Sequence, residues 1–269
     1  MSFRICFPNG LKRAFTLSYD DNQIYDRRLV DMFNRYGLKA TFHLNSGTLD
    51  TDNEQDHFIS SAEVRELYSG HEVACHGETH PYFTQFPNGE IVREVMNDRL
   101  ALEKLSGTIV RGMSYPYGVF SDEVIASLTS LGIEYSRTVE NTGHFDIPVN
   151  FMTWHPTCHH NDAMEYVDDF LGGPAFRDMA LFYVWGHSFE FERECTWGMM
   201  EEFLRRIGGQ ASVWYATNIE IKDYICASRA LLTSADGNTI YNPSAIDVYA
   251  YSDGKLTVIP SGSTVRLQG

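Results

Sequence analysis

The sequence predicts an α/β fold in which βα units surround a parallel sheet or barrel, and three observations lead there. Between residues 14 and about 228, short apolar runs alternate with helical periodicities, the pattern of parallel strands covered by helices. With 269 residues, 43% hydrophobic and 13% aromatic, the chain can build one large core, and α/β barrels use this length for a single domain. After about Leu232 helical periodicity gives way to short strands, which predicts a small β appendage.

Residues 14–19 read as the first strand. Leu29, Met32, Phe33 and Tyr36 then recur at helical spacing, with Gly37 placed to end the helix in a left-handed conformation. Residues 40–45 form the next strand. Ser60 and Glu63 make a capping box before a helix that Gly70 stops, and Glu72–Cys75 is a short strand. A long helix over about 89–105 leads to a strand near 110–114. Val124, Ile125, Leu128 and Leu131 mark a helix ending at Gly132, followed by a strand over 134–139. Residues 140–160 lack periodicity and are rich in His, Asn, Thr and Pro, so they read as a long loop, and loops of that length are usually functional. A strand over 181–185, a helical stripe of Trp197, Met200, Phe203, Leu204 and Ile207, and a strand over 213–216 complete the series. Thr217 with Glu220 caps a last helix. In the tail, Val248–Ser252 and Lys255–Ile259 flank Asp253-Gly254, a two-residue hairpin signal.

A net charge of −15 would repel nucleic-acid backbones and anionic membrane surfaces, and no Lys/Arg run opposes it. The five cysteines are scattered without C-x-x-C spacing, which suits a reduced, intracellular protein. Arg4, Pro8 and Gly10 interrupt the first residues before a signal-type apolar stretch can form, and no later run could span a bilayer. The expectation is a soluble cytoplasmic protein.

Four groups at predicted strand ends could carry chemistry. Asp20 and Asp21 are adjacent carboxylates whose side chains point in different directions, so one can bind a metal while the other reaches a water beside it. An isolated Asp pair more often caps an exposed turn. His76 and His80 stand four residues apart, and two imidazoles with one carboxylate leave coordination positions open, as catalytic sites require. In Ser114-Tyr115-Pro116-Tyr117-Gly118, Pro116 and Gly118 favour a tight turn that could aim the Tyr117 N–H into the site. Trp185-Gly186-His187 sets a further imidazole at a strand end. The shared location is what gives these signals weight, because barrel active sites assemble at the carboxyl ends of strands.

The order Asp-Asp, H-x-x-x-H, P-Y-G, late His resembles the polysaccharide deacetylase family of carbohydrate esterases, over roughly residues 14–228. The resemblance implies a distorted (β/α) barrel of seven strands, which sets the catalytic domain at 1–231, and the strand pattern of the tail makes 232–269 a small β-hairpin appendage packed on it. It implies a hydrolase removing acetyl groups from an N-acetylated, or O-acetylated, carbohydrate. It makes Asp20 the general base and His187 the general acid. Asp21, His76 and His80 become ligands of one divalent metal, Zn2+ first, with Co2+, Ni2+, Mn2+ or Fe2+ as alternatives, and the Tyr117 N–H becomes an oxyanion donor. Several positions depart from the family pattern. Gly77 replaces the usual Ser or Thr after the first His, with Thr79 a candidate substitute. Ser114 stands where an Arg usually pairs with the base, leaving Arg111 or Arg137 to reach Asp20. Trp185 replaces a Leu at the acetyl pocket. Trp154 falls in the right region for a family Asp-Trp motif, and His159 and His160 are candidates to line the substrate site. The substrate expected is an oligosaccharide, sugar precursor or related acetylated small molecule. Hydrolysis of a cyclic imide or ureide on the same scaffold, or catalytically silent carbohydrate binding, are the alternatives.

Overall fold

The computed structural model describes residues 3–173 and 179–267. Strand β1 (Phe3–Cys6) precedes a series consisting of β2 (Arg13–Asp20), β3 (Ala40–Leu44), β4 (Glu72–Cys75), β5 (Gly112–Ser114), β6 (Tyr135–Arg137), β7 (Cys158–His159), β8 (Ala180–His187) and β9 (Val213–Tyr215). The helices are α1 (Asp26–Arg35), α2 (Val64–Leu67), α3 (Asn88–Ser106), α4 (Asp122–Ser130), α5 (Ala163–Gly172), α6 (Ser188–Arg193), α7 (Trp197–Ile207) and α8 (Asn218–Arg229).

Strands β2 to β9 are all parallel, in the order β6-β5-β4-β3-β2-β8-β7. The short β9 pairs with Arg13–Phe15 of β2, on the edge that β3 occupies higher up. The segment 154–160 draws the two ends together. Ser136 and Thr138 exchange backbone hydrogen bonds with Trp154, while Thr157 and His160 donate to Tyr183 and Trp185 of β8. One irregular stretch thus spans both edges, giving the distorted (β/α) barrel that the sequence predicts, with β2 to β8 as its seven strands.

Alternation along the strands sorts the side chains. Phe15, Leu17 and Tyr19 join Leu29, Phe33 and Phe42 in the core beneath the helices. Thr16, Thr41 and Glu72 instead belong to a polar network inside the barrel. Thr41 Oγ1, Tyr135 OH and the Ile219 N–H all donate to the Glu72 carboxyl at 2.8–2.9 Å, and Thr16 Oγ1 meets Asn218 Oδ1 at 2.9 Å. Both capping boxes form, at Ser60–Glu63 and Thr217–Glu220. Gly37 ends α1 at φ 67°.

Several elements, β1 among them, have no counterpart in the sequence reading. Helix α5 buries Ala163, Val167 and Phe170, α6 starts at Ser188 immediately after β8, and β7 with a short 3-10 turn at Phe151–Thr153 lies inside the stretch read as loop. At the tail, β12 (Val248–Ser252) and β13 (Lys255–Ile259) form the hairpin, with positive φ at both Asp253 and Gly254. Strand β1 adds to β12, so the first residues join this small sheet, while β10 (Leu232–Thr233), β11 (Thr239–Tyr241) and β14 (Thr264–Arg266) make another. All five cysteines are free, and no helix among the described residues is long and apolar enough to cross a membrane.

Burial raises the Glu72 carboxyl to about 7, so it is protonated in the fold over a range where an unfolded chain ionises it. Its contribution to stability is therefore full below about pH 4.5 and is lost as pH rises through about 7. Asp26 and Asp98, raised by burial in the same way, add to the trend. Urea denaturation of wild type and Glu72→Gln should show the variant gaining stability relative to wild type between pH 5 and pH 8, because only the wild type loses the contribution of a protonated Glu72; a constant difference between the two would remove Glu72 from this account.

Candidate active site

Six strands deliver side chains to the carboxyl end of the barrel. Asp20 ends β2, His43 lies near the end of β3, His76 follows β4, Ser114 and Arg137 end β5 and β6, and His187 ends β8. The register explains one substitution of function. Ser114 pairs directly with Arg137 across β5 and β6, so a guanidinium absent from position 114 arrives from the adjacent strand. Arg137 Nη2 donates to Asp20 Oδ2 in a fully buried ion pair. Ser114 Oγ donates to Asp20 Oδ1 at 3.2 Å, and His43 Nδ1 lies 3.2 Å from the same oxygen. Burial pushes the Asp20 carboxyl up, but Arg137, with His76 and His43, more than offsets this and holds it well below the usual carboxylate range. Asp20 is therefore an anion kept dry. Arg111 lies elsewhere: it binds Asp223 of α8 and Glu134, because position 111 precedes β5 rather than ending it.

Beside Asp20, Asp21 Oδ1 lies 3.5 Å from His76 Nε2 and 3.7 Å from His80 Nε2. The Nδ1–H of His76 donates to the Ser114 carbonyl at 2.9 Å, which leaves Nε2 with its lone pair facing Asp21. Burial lowers His76 well below the ordinary histidine range, so its ring is neutral. Burial raises the Asp21 carboxyl against the pull of His187 and His80. Two imidazole nitrogens and a partly desolvated carboxylate converging on one point fit a divalent cation with open positions.

The backbone here is strained. Asp21, Asn22, His80 and Tyr117 all have positive φ without being glycine. Hydrogen bonds hold these turns in place. Asn22 accepts from the Asn45 N–H and donates to Thr48, and Asn45 Nδ2 donates to the carbonyls of His76 and Gly77. Buried Asp98 accepts from the N–H groups of Ser46 and His76. Glu94 accepts both the N–H and the hydroxyl of Thr79, at 3.0 Å each, so Thr79 anchors the loop between the two histidines. In the Pro116 turn, the hydrogen bonds run from Gly118 and Val119. The Tyr117 ring packs edge-on to His80, with centroids 4.4 Å apart, and stacks on Tyr82.

His187 Nε2 faces Asp21 Oδ2 at 3.9 Å, and its Nδ1 lies 3.3 Å from Glu190 Oε1. Burial lowers His187, but Glu190 and Asp21 outweigh it and the net shift is upward, toward the cation. Glu190 also accepts from the His187 N–H and contacts His159 and His160. Trp185 lies over Arg137, 4.6 Å from its guanidinium carbon, and donates to Asn141. Trp154 is buried among Tyr135, Phe151 and Tyr183, so it packs the barrel wall. A cleft of about 300 Å³ opens beside Asp21 and His80, lined by Gln23, Asn45, Phe58 and Phe189 and bounded by the Arg193–Asp56 ion pair.

His43, Asn45 and Glu190 were not singled out from sequence. His43 sits at an inward position near the end of an anticipated strand, and Glu190 occupies the third helical position of α6, where capping-box acids occur, but behind a His cap.

The sequence profile of the polysaccharide deacetylase family matches residues 8–136. Chitin deacetylase 1 of Cryptococcus neoformans is 28% identical over 151 residues, covering 54% of this chain and 30% of that protein. Chitooligosaccharide deacetylase of Sinorhizobium fredii is 28% identical over 120 residues, 44% of this chain and 53% of that one. The chain thus spans about half or less of the length of these curated relatives. In fold it resembles a Mycobacterium smegmatis protein assigned as a polysaccharide deacetylase, at a TM-score of 0.64 and 16% identity over 84% of this chain and 94% of that one. It also resembles a family 4 carbohydrate esterase pseudoenzyme from Bacillus anthracis, at 0.51 and 17% over 80% and 66%.

Removing Arg137 strands Asp20 as an uncompensated buried charge. Arg137→Leu should cost about 3–5 kcal/mol, whereas Arg111→Leu, at a part-exposed ion pair, should cost about 1 kcal/mol or less. Urea denaturation midpoints of the two variants check the contrast.

Proposed function

We propose that this chain is a member of the polysaccharide deacetylase family and a metal-dependent hydrolase that removes the acetyl group from an N-acetylated sugar. The observation that carries this reading is the pairing of an anionic, desolvated Asp20 with the Asp21–His76–His80 triangle, and of that triangle with a cation-favouring His187. The residues divide into a base, a cation site and an acid around one cleft, the set that amide hydrolysis requires.

Asp21, His76 and His80 would hold one divalent ion, Zn2+ being the first choice for two imidazoles and a carboxylate. When bound there, the ion supplies Lewis-acid polarisation and the acidified water that so weak a base as Asp20 needs. Asp20 accepts the proton of the attacking water while Arg137 and Ser114 hold its orientation. The Tyr117 N–H donates to the oxygen that gains charge as the acetyl carbon becomes tetrahedral. His187 then gives its Nε2 proton to the departing nitrogen, the C–N bond breaks, and acetate and the free amine leave. Glu190 stabilises the imidazolium before that transfer. The small cleft bounded by Arg193 and Asp56 supports a short oligosaccharide or sugar precursor as substrate.

Purified protein supplied with Zn2+ should release acetate from N-acetylglucosamine oligomers, lose the activity to a chelator and regain it on metal addition. Asp20→Asn should lower kcat by about 10²–10⁴-fold. No acetate from any N-acetylated sugar under these conditions would overturn the reading and favour silent carbohydrate binding. Because Glu190 keeps His187 protonated to higher pH, Glu190→Gln should move the alkaline limb of the kcat/KM profile to lower pH. An unmoved limb would exclude Glu190 from supporting the acid.

A further inference from the structure

We propose that His159, His160 and Glu190 form a second divalent-metal site, of the zinc type, which ties the segment closing the barrel to helix α6. It is distinct from the Asp21–His76–His80 cluster and shares no ligand with it. Both histidines sit at the end of β7, in the stretch bridging β6 and β8, whereas Glu190 lies on α6.

The spacing is that of a coordination shell. Glu190 Oε2 lies 3.1 Å from His159 Nε2 and 3.4 Å from His160 Nε2. A tetrahedral zinc with bonds of about 2.0–2.1 Å has ligand–ligand edges of about 3.3–3.4 Å. The two edges to Glu190 therefore stand near the required separation, and one ligand atom from each of the three residues lies within 4.8 Å of the others.

His160 supplies an independent observation. Its side chain is completely buried, yet neither ring nitrogen has a hydrogen-bond partner. An unpaired buried polar group costs about 1–3 kcal/mol, so such groups are rare without a role. The ring packs against Phe191, with centroids 4.1 Å apart, and beside Tyr19, at interplanar angles of 29° and 10°. On its Nδ1 side it abuts Gly186, where a Cβ would come within 1.9 Å of that nitrogen. The backbone thus closes off Nδ1 and leaves Nε2, the atom directed at Glu190, to bind a ligand. His159 and Glu190 are partly exposed, which gives an ion a way in and a water the fourth position. Glu190 would bind through Oε2, leaving Oε1 on His187.

The test is zinc stoichiometry on metal-stripped protein, by calorimetric titration with Zn2+ and elemental analysis after dialysis. Wild type should take two equivalents. His80→Ala, lacking a ligand of the first cluster, should take one and melt roughly 5 °C or more higher at saturating zinc. His80→Ala/His159→Ala should take none. His159 is chosen over the fully buried His160 so that the fold survives, with circular dichroism as the check. A His80→Ala protein that binds no zinc, or a folded double variant that still binds one equivalent, overturns the proposal. Failure of the first cluster alone looks different: His159→Ala would then bind nothing while His80→Ala kept its equivalent.

Discussion

The buried ion pair between Asp20 and Arg137 is the constraint around which the carboxyl end of the barrel is organised. Two charges removed from water are tolerable only when their geometry is good and their remaining hydrogen-bonding capacity is met. Ser114 and His43 complete the shell of Asp20, and the Arg137 guanidinium lies under Trp185. Each of these residues comes from a different strand, so the pair forms only when β2, β3, β5, β6 and β8 are in their native register. Asp21, one residue further, inherits its position from Asp20 and is turned the other way by its positive φ.

Around this pair the strand ends are tied together by side chains rather than by more sheet. Asn22 and Asn45 join the ends of β2, β3 and β4, while Asp98 and Glu94 reach from α3 to fix the loop between His76 and His80. Rigid anchoring of this kind is what lets non-glycine residues persist in left-handed conformations at a site. Closure of the barrel is looser. It depends on the stretch 154–160, which bonds to β6 at one end and β8 at the other, and whose histidines converge on Glu190. A closing segment with so little ladder of its own gains from a further tie to α6.

Much of the barrel was legible because strand ends and helix stripes leave local marks. The stripe from Leu29 to Tyr36, the caps at Ser60 and Thr217, and the Asp253-Gly254 hairpin each follow from a few neighbouring residues, and each appears in the fold. Helix α5 carried the same kind of signal in Ala163, Val167 and Phe170 but lies beside a stretch of poor periodicity. Strand β7 could not be read, because two residues hold it and its partner lies more than twenty positions away. The same limit applies to β1, which exists only because β12 pairs with it.

The sequence by itself determined which chemical groups stand at strand ends: the Asp20-Asp21 pair, the spaced His76 and His80, the Pro116 turn and His187. These are short-range facts, since a strand end and the residue occupying it are set within a few positions. Only the tertiary structure decided the partnerships. Arg137 rather than Arg111 meets Asp20, because parallel register sets Ser114 beside Arg137 while Arg111 sits below β5 facing Asp223. Glu190 rather than a distant carboxylate meets His187, because α6 starts at once and folds its first turn back over the strand end. Electrostatic pairing acts through space, over distances that chain spacing does not encode.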